Sequence, residues 1–243
     1  MRAALAPALL ALALAAGANE RRTIDVPVAA ATVAVDVHLA SPGASPRGGV
    51  VLVHGLMRSR ATMAGHADEL ANQGLVALAL DLPTIADGAA NAAAIRDVVA
   101  MLRAGRFSAP VNRVVLVGFS MGGLWSLLAA DAPGVAGWVG LDPVDLPDRR
   151  GLAAARRLTV PAALVRAPAT PCNAYAGASA WAGAFAQPAG DTMIAEATHC
   201  DFESPTDGWC RFLCGESDAA RERRVREALL PAVLARFAKP AAR

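Results

Sequence analysis

The sequence has few charged residues and none of the basic stretches that nucleic-acid-binding proteins carry. Only 18% of its 243 residues are Asp, Glu, Lys or Arg, and the formal net charge is +2. Acidic and basic residues are interspersed along the chain, without a basic stripe. The electrostatic footprint expected for DNA or RNA binding is therefore missing, and we expect no nucleic-acid partner.

The chain also lacks internal repeats, low-complexity linkers and charge runs that would divide it. Hydrophobic residues make up 55% of the sequence, which is enough apolar material for a full core at this length. We expect one domain over residues 19–243. Nothing in the sequence indicates an oligomer, so a monomer is the default expectation.

No apolar run is long enough to span a bilayer comfortably. The longest, at the N-terminus, covers residues 3–16, follows Arg2, and ends in Ala-Gly-Ala at 16–18. A short basic region, an apolar region and a small-x-small site are typical of a secretory signal peptide. We predict a signal peptide over residues 1–18, with an uncleaved anchor as the alternative. The mature protein is then secreted or periplasmic, without a membrane span.

Cysteine is scarce, and its four positions, Cys172, Cys200, Cys210 and Cys214, all lie in the last third of the chain. In an oxidising compartment such a set predicts two disulfides, with three possible connectivities. A zinc site and free thiols are the alternatives, but the spacing of Cys210 and Cys214 is not that of a zinc knuckle. We favour Cys172 with Cys200, because loops after neighbouring strands lie close together, and then Cys210 with Cys214. We expect no metal.

Short apolar runs alternate with helical patterns from about residue 48 onward. The runs lack polar alternation, which is typical of strands covered on both faces. They predict strands at 50–53, 76–80, 114–117, 138–141, 162–165 and 193–195, after an antiparallel pair at 23–28 and 32–39. Helices are predicted at 61–72, 91–103, 121–130, 149–157, 178–184 and 218–237, the last capped by Ser217 and interrupted or bent by Pro231.

Repeated βα units after a hairpin build an α/β fold. We expect a mostly parallel central sheet with an antiparallel N-terminal edge and helices on both faces. The interval 143–160 is too short for a helical lid domain. Trp125, Trp181 and Trp209 are expected in core or loop packing, with the lining of an apolar cleft as the alternative.

Residues 118–122 read Gly-Phe-Ser-Met-Gly, directly after the predicted strand 114–117 and at the start of a predicted helix. This strand–turn–helix context is that of a nucleophile elbow, with Ser120 as the nucleophile. The turn is so tight that side chains at Gly118 and Gly122 would collide with their surroundings. The following helix directs its positive dipole end at a developing oxyanion.

His54-Gly55-Leu56-Met57 follows the predicted strand 50–53, where this fold supplies the second amide of an oxyanion hole. We assign the hole to the backbone N–H groups of Leu56 and Met121. We expect His54 to hold the loop by hydrogen bonds rather than to transfer protons, because it precedes the nucleophile in chain order.

Histidine is as scarce as cysteine, with four residues. His38 lies in the predicted hairpin and His66 in the first predicted helix, so structural roles are expected for both. His199 follows the last predicted strand, at the carboxyl edge of the sheet, and gives the chain order Ser, acid, His. We predict His199 as the general base.

The acid is less obvious, because the loop 166–172, where this fold usually carries it, contains no carboxylate. Asp142, directly after the predicted strand 138–141, is the closest candidate. Asp145 is the alternative, and its structural role would be to cap the helix near Arg149. We expect Pro143 to bias Asp142 toward an extended conformation.

These motifs resemble those of chlorophyllases and cutinase-like polyesterases, in the dienelactone-hydrolase-related branch of the α/β-hydrolase superfamily. The resemblance covers most of the mature chain and is carried by residues 54–59, 70–76, 118–122, 140–145, 171–173 and 199–202. It implies an α/β-hydrolase fold, ester hydrolysis and Asp142 as the triad acid. Met121 differs from chlorophyllases, which tend to carry Arg there, and is similar to polyesterases.

The sequence thus predicts a secreted serine carboxylic ester hydrolase that works through an acyl-enzyme on a small-molecule or polymeric ester, without a cofactor. A lipase, thioesterase or peptidase on the same triad is one alternative. A non-catalytic binding protein of the same fold is the other, although such a protein typically loses a triad residue.

Overall fold

The computed structural model of the chain describes residues 20–29, 31–39 and 45–238, and the predicted signal peptide lies outside them. One eight-stranded sheet forms, in the order β1-β2-β4-β3-β5-β6-β7-β8. The strands are β1 Glu20–Val28, β2 Ala31–Leu39, β3 Gly49–Val53, β4 Val76–Leu80, β5 Val114–Phe119, β6 Val135–Leu141, β7 Ala162–Arg166 and β8 Pro188–Met193. Strand β1 pairs antiparallel with β2, and β2 antiparallel with β4. All other neighbours are parallel, which confirms the predicted sheet.

Helices cover both faces of this sheet. They are α1 Ala64–Asn72, α2 Gly88–Arg103, α3 Met121–Leu128, α4 Arg150–Arg157, α5 Gly208–Cys214 and α6 Ala219–Leu234. Strand β3 shows why the apolar runs are continuous: Val51 and Val53 face the core under α2, α3 and α4, while Val50 and Leu52 face the core under α1 and α6. Burial on both faces leaves no room for polar alternation.

Several helix boundaries in the structure differ from the predicted ones. The helix predicted over 61–72 splits into a 3₁₀ turn, Arg60–Met63, followed by α1. Helix α6 is capped by Asp218, whose carboxylate accepts from the N–H groups of Ala220 and Arg221, and not by Ser217. Pro231 lies inside α6 without ending it. Three buried side chains on either side of the proline fix α6 against the sheet: Val225, Leu229 and Val233.

Two predicted elements are wrong. The last strand is β8, not 193–195, because the sheet there ends in a polar, exposed edge strand that carries no apolar signal. Residues 178–184 form no α-helix, only a 3₁₀ turn over Gly177–Trp181. The turn is held by Trp181, which is fully buried with its ring 5.9 Å from that of Trp138, so tertiary packing overrides the weak helical pattern.

The interval between β6 and β7 contains α4 alone, so no lid domain is inserted between these two strands. The loops that follow β3, β5, β6 and β7 meet at this edge, as they must in a parallel sheet. The long segment after β8 crosses it and carries α5. No helix in the described part of the chain is long and apolar enough to cross a membrane.

Candidate active site

Ser120 occupies the turn between β5 and α3 in a strained conformation, with φ 54° and ψ −124°. The two flanking glycines make this turn possible. A Cβ at Gly118 would lie 2.3 Å from the carbonyl oxygen of Gly122, and a Cβ at Gly122 would lie 2.2 Å from that of His54. Backbone atoms cannot yield at such distances, so only glycine fits at either position.

His199 lies against this serine, with Nε2 3.0 Å from Ser120 Oγ. It begins a 3₁₀ turn, His199–Phe202, that follows β8 after a short loop. The imidazole is buried, and its ring centre is 4.6 Å from that of Phe119. Packing against the phenyl ring therefore limits rotation of the imidazole away from the serine.

Asp142 lies on the other side of the His199 imidazole from Ser120, with Oδ2 2.6 Å from His199 Nδ1. An ionised carboxylate only accepts hydrogen bonds, so the proton of the neutral imidazole belongs on Nδ1 and Nε2 is free to accept from the serine hydroxyl. The expected extended conformation of Asp142 is wrong: its φ is 39°. Its N–H donates to Val165 at the end of β7, 2.7 Å away, which turns the chain at this residue.

Asp145, the alternative acid, is occupied elsewhere. Its carboxylate accepts from the N–H groups of Gly151 and Leu152 in the first turn of α4, each at 2.9 Å. It also accepts from the indole N–H of Trp181 at 2.8 Å. The structure therefore brings Asp142 to His199 and places Asp145 at the start of α4.

Asn173 is a site residue whose role was not predicted from the sequence. Its side-chain amide donates to Asp142, with Nδ2 3.2 Å from Oδ1, and to the carbonyl of Pro168 at 2.8 Å. Its Oδ1 accepts from the N–H groups of Thr170 and Ala176. The local signal was a Thr-Pro-Cys-Asn stretch, in which the side chain of Asn173 accepts from the N–H of Thr170 at the start of a 3₁₀ turn.

The Leu56 and Met121 amides lie on the two backbone segments that flank Ser120. Met121 is the first residue of α3, and Gly55 packs so closely that a Cβ there would be 3.1 Å from the Cβ of Ser120. Neither N–H donates to an acceptor in the described residues. Both amides are therefore available to an oxygen atom bound beside the serine.

His54 holds the loop that carries Leu56. Its Nδ1 donates to the carbonyl of Gly55 at 2.7 Å, and its Nε2 accepts from the N–H of Leu82 at 3.2 Å. Burial lowers the pKa of His54, which keeps the imidazole neutral and able to accept. The histidine thereby ties the loop after β3 to the loop after β4.

A cleft of about 410 Å³ opens over Ser120 and His199. Arg58 and Glu203 lie in its wall and form a bidentate ion pair, Nε–Oε1 2.6 Å and Nη2–Oε2 2.8 Å. Arg58 also contacts Asp207 at 2.8 Å. The hydrogen bond that Arg58 donates to Glu203 raises the pKa of Arg58 against the effect of burial, and Asp207 raises it further. Arg58 is therefore a permanently charged group that is paired with two carboxylates.

The cysteines form two disulfides, Cys172–Cys214 and Cys200–Cys210. The favoured pairing, Cys172–Cys200 with Cys210–Cys214, is wrong. Helix α5 lies between the loop of Cys172 and the loop of Cys200, and each of its two cysteines bonds to a different loop. The Sγ atoms of Cys200, Cys210 and Cys214 all lie within 4.8 Å of one another, so sequence spacing could not distinguish the pairings.

Trp125, Trp181 and Trp209 differ in burial. Trp125 and Trp181 are buried, as expected. Trp209 is 52% exposed and lines the cleft from α5, so its assignment to core or loop packing is wrong.

A model of the alpha/beta hydrolase family matches residues 50–242. No curated protein is significantly similar to the chain in sequence. Among solved structures, a dienelactone hydrolase from Anabaena variabilis is 20% identical over 90% of this chain and 96% of its own, with a TM-score of 0.67. A dienelactone hydrolase-like promiscuous phosphotriesterase from metagenomic libraries is 20% identical, with coverages of 90% and 98% and a TM-score of 0.69. Est1E from Butyrivibrio proteoclasticus is 15% identical, with coverages of 87% and 99% and a TM-score of 0.63. These similarities confirm the predicted α/β-hydrolase fold.

Proposed function

Because the chain belongs to the alpha/beta hydrolase family, we propose that it is a serine carboxylic ester hydrolase that works through an acyl-enzyme. One observation carries the proposal: Ser120, His199 and Asp142 form a continuous hydrogen-bonded row, 3.0 Å and 2.6 Å between the bonded atoms. A nucleophile bonded to a base, which is in turn oriented by a carboxylate, is the arrangement that acyl transfer requires.

In acylation, Ser120 Oγ attacks the ester carbonyl carbon while His199 Nε2 takes the hydroxyl proton. Asp142 holds the imidazole in the required tautomer and stabilises its charged form. The carbonyl oxygen becomes an oxyanion that accepts from the Leu56 and Met121 amides, an effect typically worth about 3–4 kcal/mol per donor. His199 then protonates the leaving alcohol, and the carbon–oxygen bond to it breaks.

In deacylation, water attacks the acyl-enzyme from the open side of the cleft. His199 Nε2 removes a proton from the water and returns it to Ser120 Oγ as the acid leaves. The step uses the same oxyanion contacts. The nucleophile Ser120, the proton carrier His199 and the amides that bind the oxyanion thus all come from this chain.

The compartment is part of the proposal. Two disulfides form and persist in oxidising environments. Together with the signal peptide predicted over residues 1–18, they support a secreted or periplasmic protein. The absence of a lid fits a site that is open to external, bulky esters.

Covalent labelling tests the nucleophile. A fluorophosphonate probe should add once to the purified protein, with the mass increase on the peptide that contains Ser120, and Ser120→Ala should lose both labelling and esterase activity. Ser108→Ala is the matched control, since the Ser108 hydroxyl bonds to the carbonyl of Ala109 and Ser108 does not line the cleft in the described part of the chain. Labelling of Ser120→Ala at the wild-type rate would contradict the proposal. Thioesters and anilides tested beside esters distinguish the alternative acyl hydrolases.

A further inference from the structure

The cleft over Ser120 has an apolar wall that remains exposed to water. Leu56 is 43% exposed, Trp209 52% and Leu213 55%, although all three are large apolar side chains. They line the same cleft as Ser120 and His199, and Val144 and Leu146 add further apolar surface to it. An apolar surface that is continuous with reactive groups is a binding surface for the molecule that reacts there.

Within the residues that the structure describes, a single cation lines this cleft, and it is paired with carboxylates of the protein. The charged side chains among its described lining residues are Arg58 and Glu203, which form the bidentate pair. The side chain of Arg58 is 10% exposed and that of Glu203 is fully buried. Asp207 binds Arg58 as well, so the cation is matched by carboxylates of the protein. The positive charge of the guanidinium is thus already countered by two carboxylates of the protein before a substrate binds.

The wall is also fixed in position. Helix α5 carries both Trp209 and Leu213. Cys200–Cys210 joins it to the His199 turn, and Cys172–Cys214 joins it to the segment that carries Asn173. Crosslinks at two positions hold the helix beside the catalytic groups before any ligand arrives. A preorganised surface of this kind loses little freedom when it binds.

We propose that this wall is the recognition site for the apolar group of an uncharged ester, and that Trp209 and Leu213 determine the preference for it. The inference deepens the proposed function and rests on it. Removing water from the two side chains and from the apolar group of the ester favours binding beside Ser120. An anionic ester would place an unpaired charge against the same surface, which costs free energy.

Matched substrates test the charge preference. The 4-nitrophenyl esters of butyric acid and of succinic acid, the latter as its monoester anion, have acyl groups of equal carbon number and differ by one carboxylate. We expect kcat/KM for the butyrate to exceed that for the succinate by at least about 100-fold. Equal values, or a preference for the succinate, would overturn the inference.

Chain length and variants test the wall. From 4-nitrophenyl acetate to the hexanoate, kcat/KM should rise by up to about fourfold per buried methylene. Trp209→Ala and Leu213→Ala should each reduce the hexanoate-to-acetate ratio by at least about threefold. Met193→Ala is the control, because Met193 is an exposed apolar residue on β8 outside the cleft. It should leave the ratio unchanged.

Labelling separates the two possible failures. If fluorophosphonate does not react at Ser120 in the unaltered protein, the proposed function fails. If Ser120 reacts but the hexanoate-to-acetate ratio is the same in Trp209→Ala, Leu213→Ala and the parent, the proposed function stands. In that case Trp209 and Leu213 do not determine the preference for the apolar group. Labelling of each variant also shows that its catalytic groups are assembled.

Discussion

Asn173 is hydrogen bonded to Asp142 across 31 positions of the chain, with Nδ2 3.2 Å from Oδ1 and 3.3 Å from Oδ2. The same carboxylate accepts from the N–H of Ala167 at 3.0 Å and from His199 at 2.6 Å. These donors, from three different segments, hold its two oxygens in one orientation. The orientation of the imidazole, and therefore of the proton acceptor for Ser120, depends on all of them.

Asn173→Asp should lower kcat by about 10- to 100-fold, because Asp142 loses a donor and gains a neighbouring charge. The new carboxylate still accepts from Thr170 and Ala176, so these two loop contacts are kept, while the bond to the carbonyl of Pro168 is lost. Asn173→Ala removes both functions and should also destabilise the protein by about 2–3 kcal/mol, through buried groups left without partners. Ester hydrolysis and urea unfolding of both variants measure the two effects. If Asn173→Asp keeps the parent kcat, the amide has no role in orienting Asp142.

Asp142→Asn should keep the fold and lower kcat by up to about 10⁴, since the neutral amide favours the wrong tautomer of His199 and no longer stabilises its charged form. Asp145→Asn is the matched variant, three positions further along the same loop. It should change kcat by less than about tenfold. It should instead lower the free energy of unfolding by about 1–2 kcal/mol, because the amide satisfies the N–H groups of α4 less well. An exchange of these phenotypes would assign the acid to Asp145.

The purified protein should contain no free thiol on titration under denaturing conditions, and peptide mapping without reductant should recover Cys172 with Cys214 and Cys200 with Cys210. The first pair closes a loop of 42 residues and the second a loop of 10. Chain entropy predicts stabilisation of about 4 and about 3 kcal/mol respectively. Replacing the first pair by serines should therefore lower Tm more than replacing the second. Four titratable thiols in protein from an oxidising compartment would contradict the pairing.

Stability should fall as the pH falls from about 6.5 to 4, partly through His66. Burial, with a smaller effect of Arg226, lowers the pKa of His66 from 6.5 to about 4, against the hydrogen bond to the carbonyl of Phe202. Between these values the unfolded chain binds a proton that the folded protein does not. The resulting loss is about 2–3 kcal/mol at pH 4.5.

His66→Gln isolates this contribution, because the Gln amide can still donate to Phe202 and does not titrate. Urea unfolding at pH 7 and at pH 4.5 should show a smaller loss for the variant by about that amount. His54, whose pKa is also lowered, contributes equally to both proteins. The same pH dependence in variant and parent would show that His66 is not the group responsible.

Features that depend on local geometry were readable from the sequence. The elbow at 118–122 was readable because a tight strand-to-helix turn needs two glycines around the serine within five residues. Part of that restriction is local, since a Cβ at Gly118 would meet Gly122, and part comes from the end of β3, which a Cβ at Gly122 would meet. The structure brings Ser120, His199 and Asp142 together. The buried strands β3 to β7 were readable for a similar reason, since burial on both faces demands a continuous apolar run. The exposed edge strand β8 carries no such run and was missed.

Long-range partners were decided by the tertiary structure alone. In the sequence Asn173 is one more polar loop residue, and only the fold brings its amide to Asp142. Asp142 and Asp145 become distinguishable only in the structure, where the carboxylate of Asp145 accepts from the N–H groups at the start of α4. Cys210 and Cys214 lie one turn apart on α5 and each has a partner in a different loop. The sequence determined which residues carry chemistry, because local backbone geometry and burial require particular residue types. Which of them meet was decided by the packing of loops from separate strands, whose distances do not follow from separation along the chain.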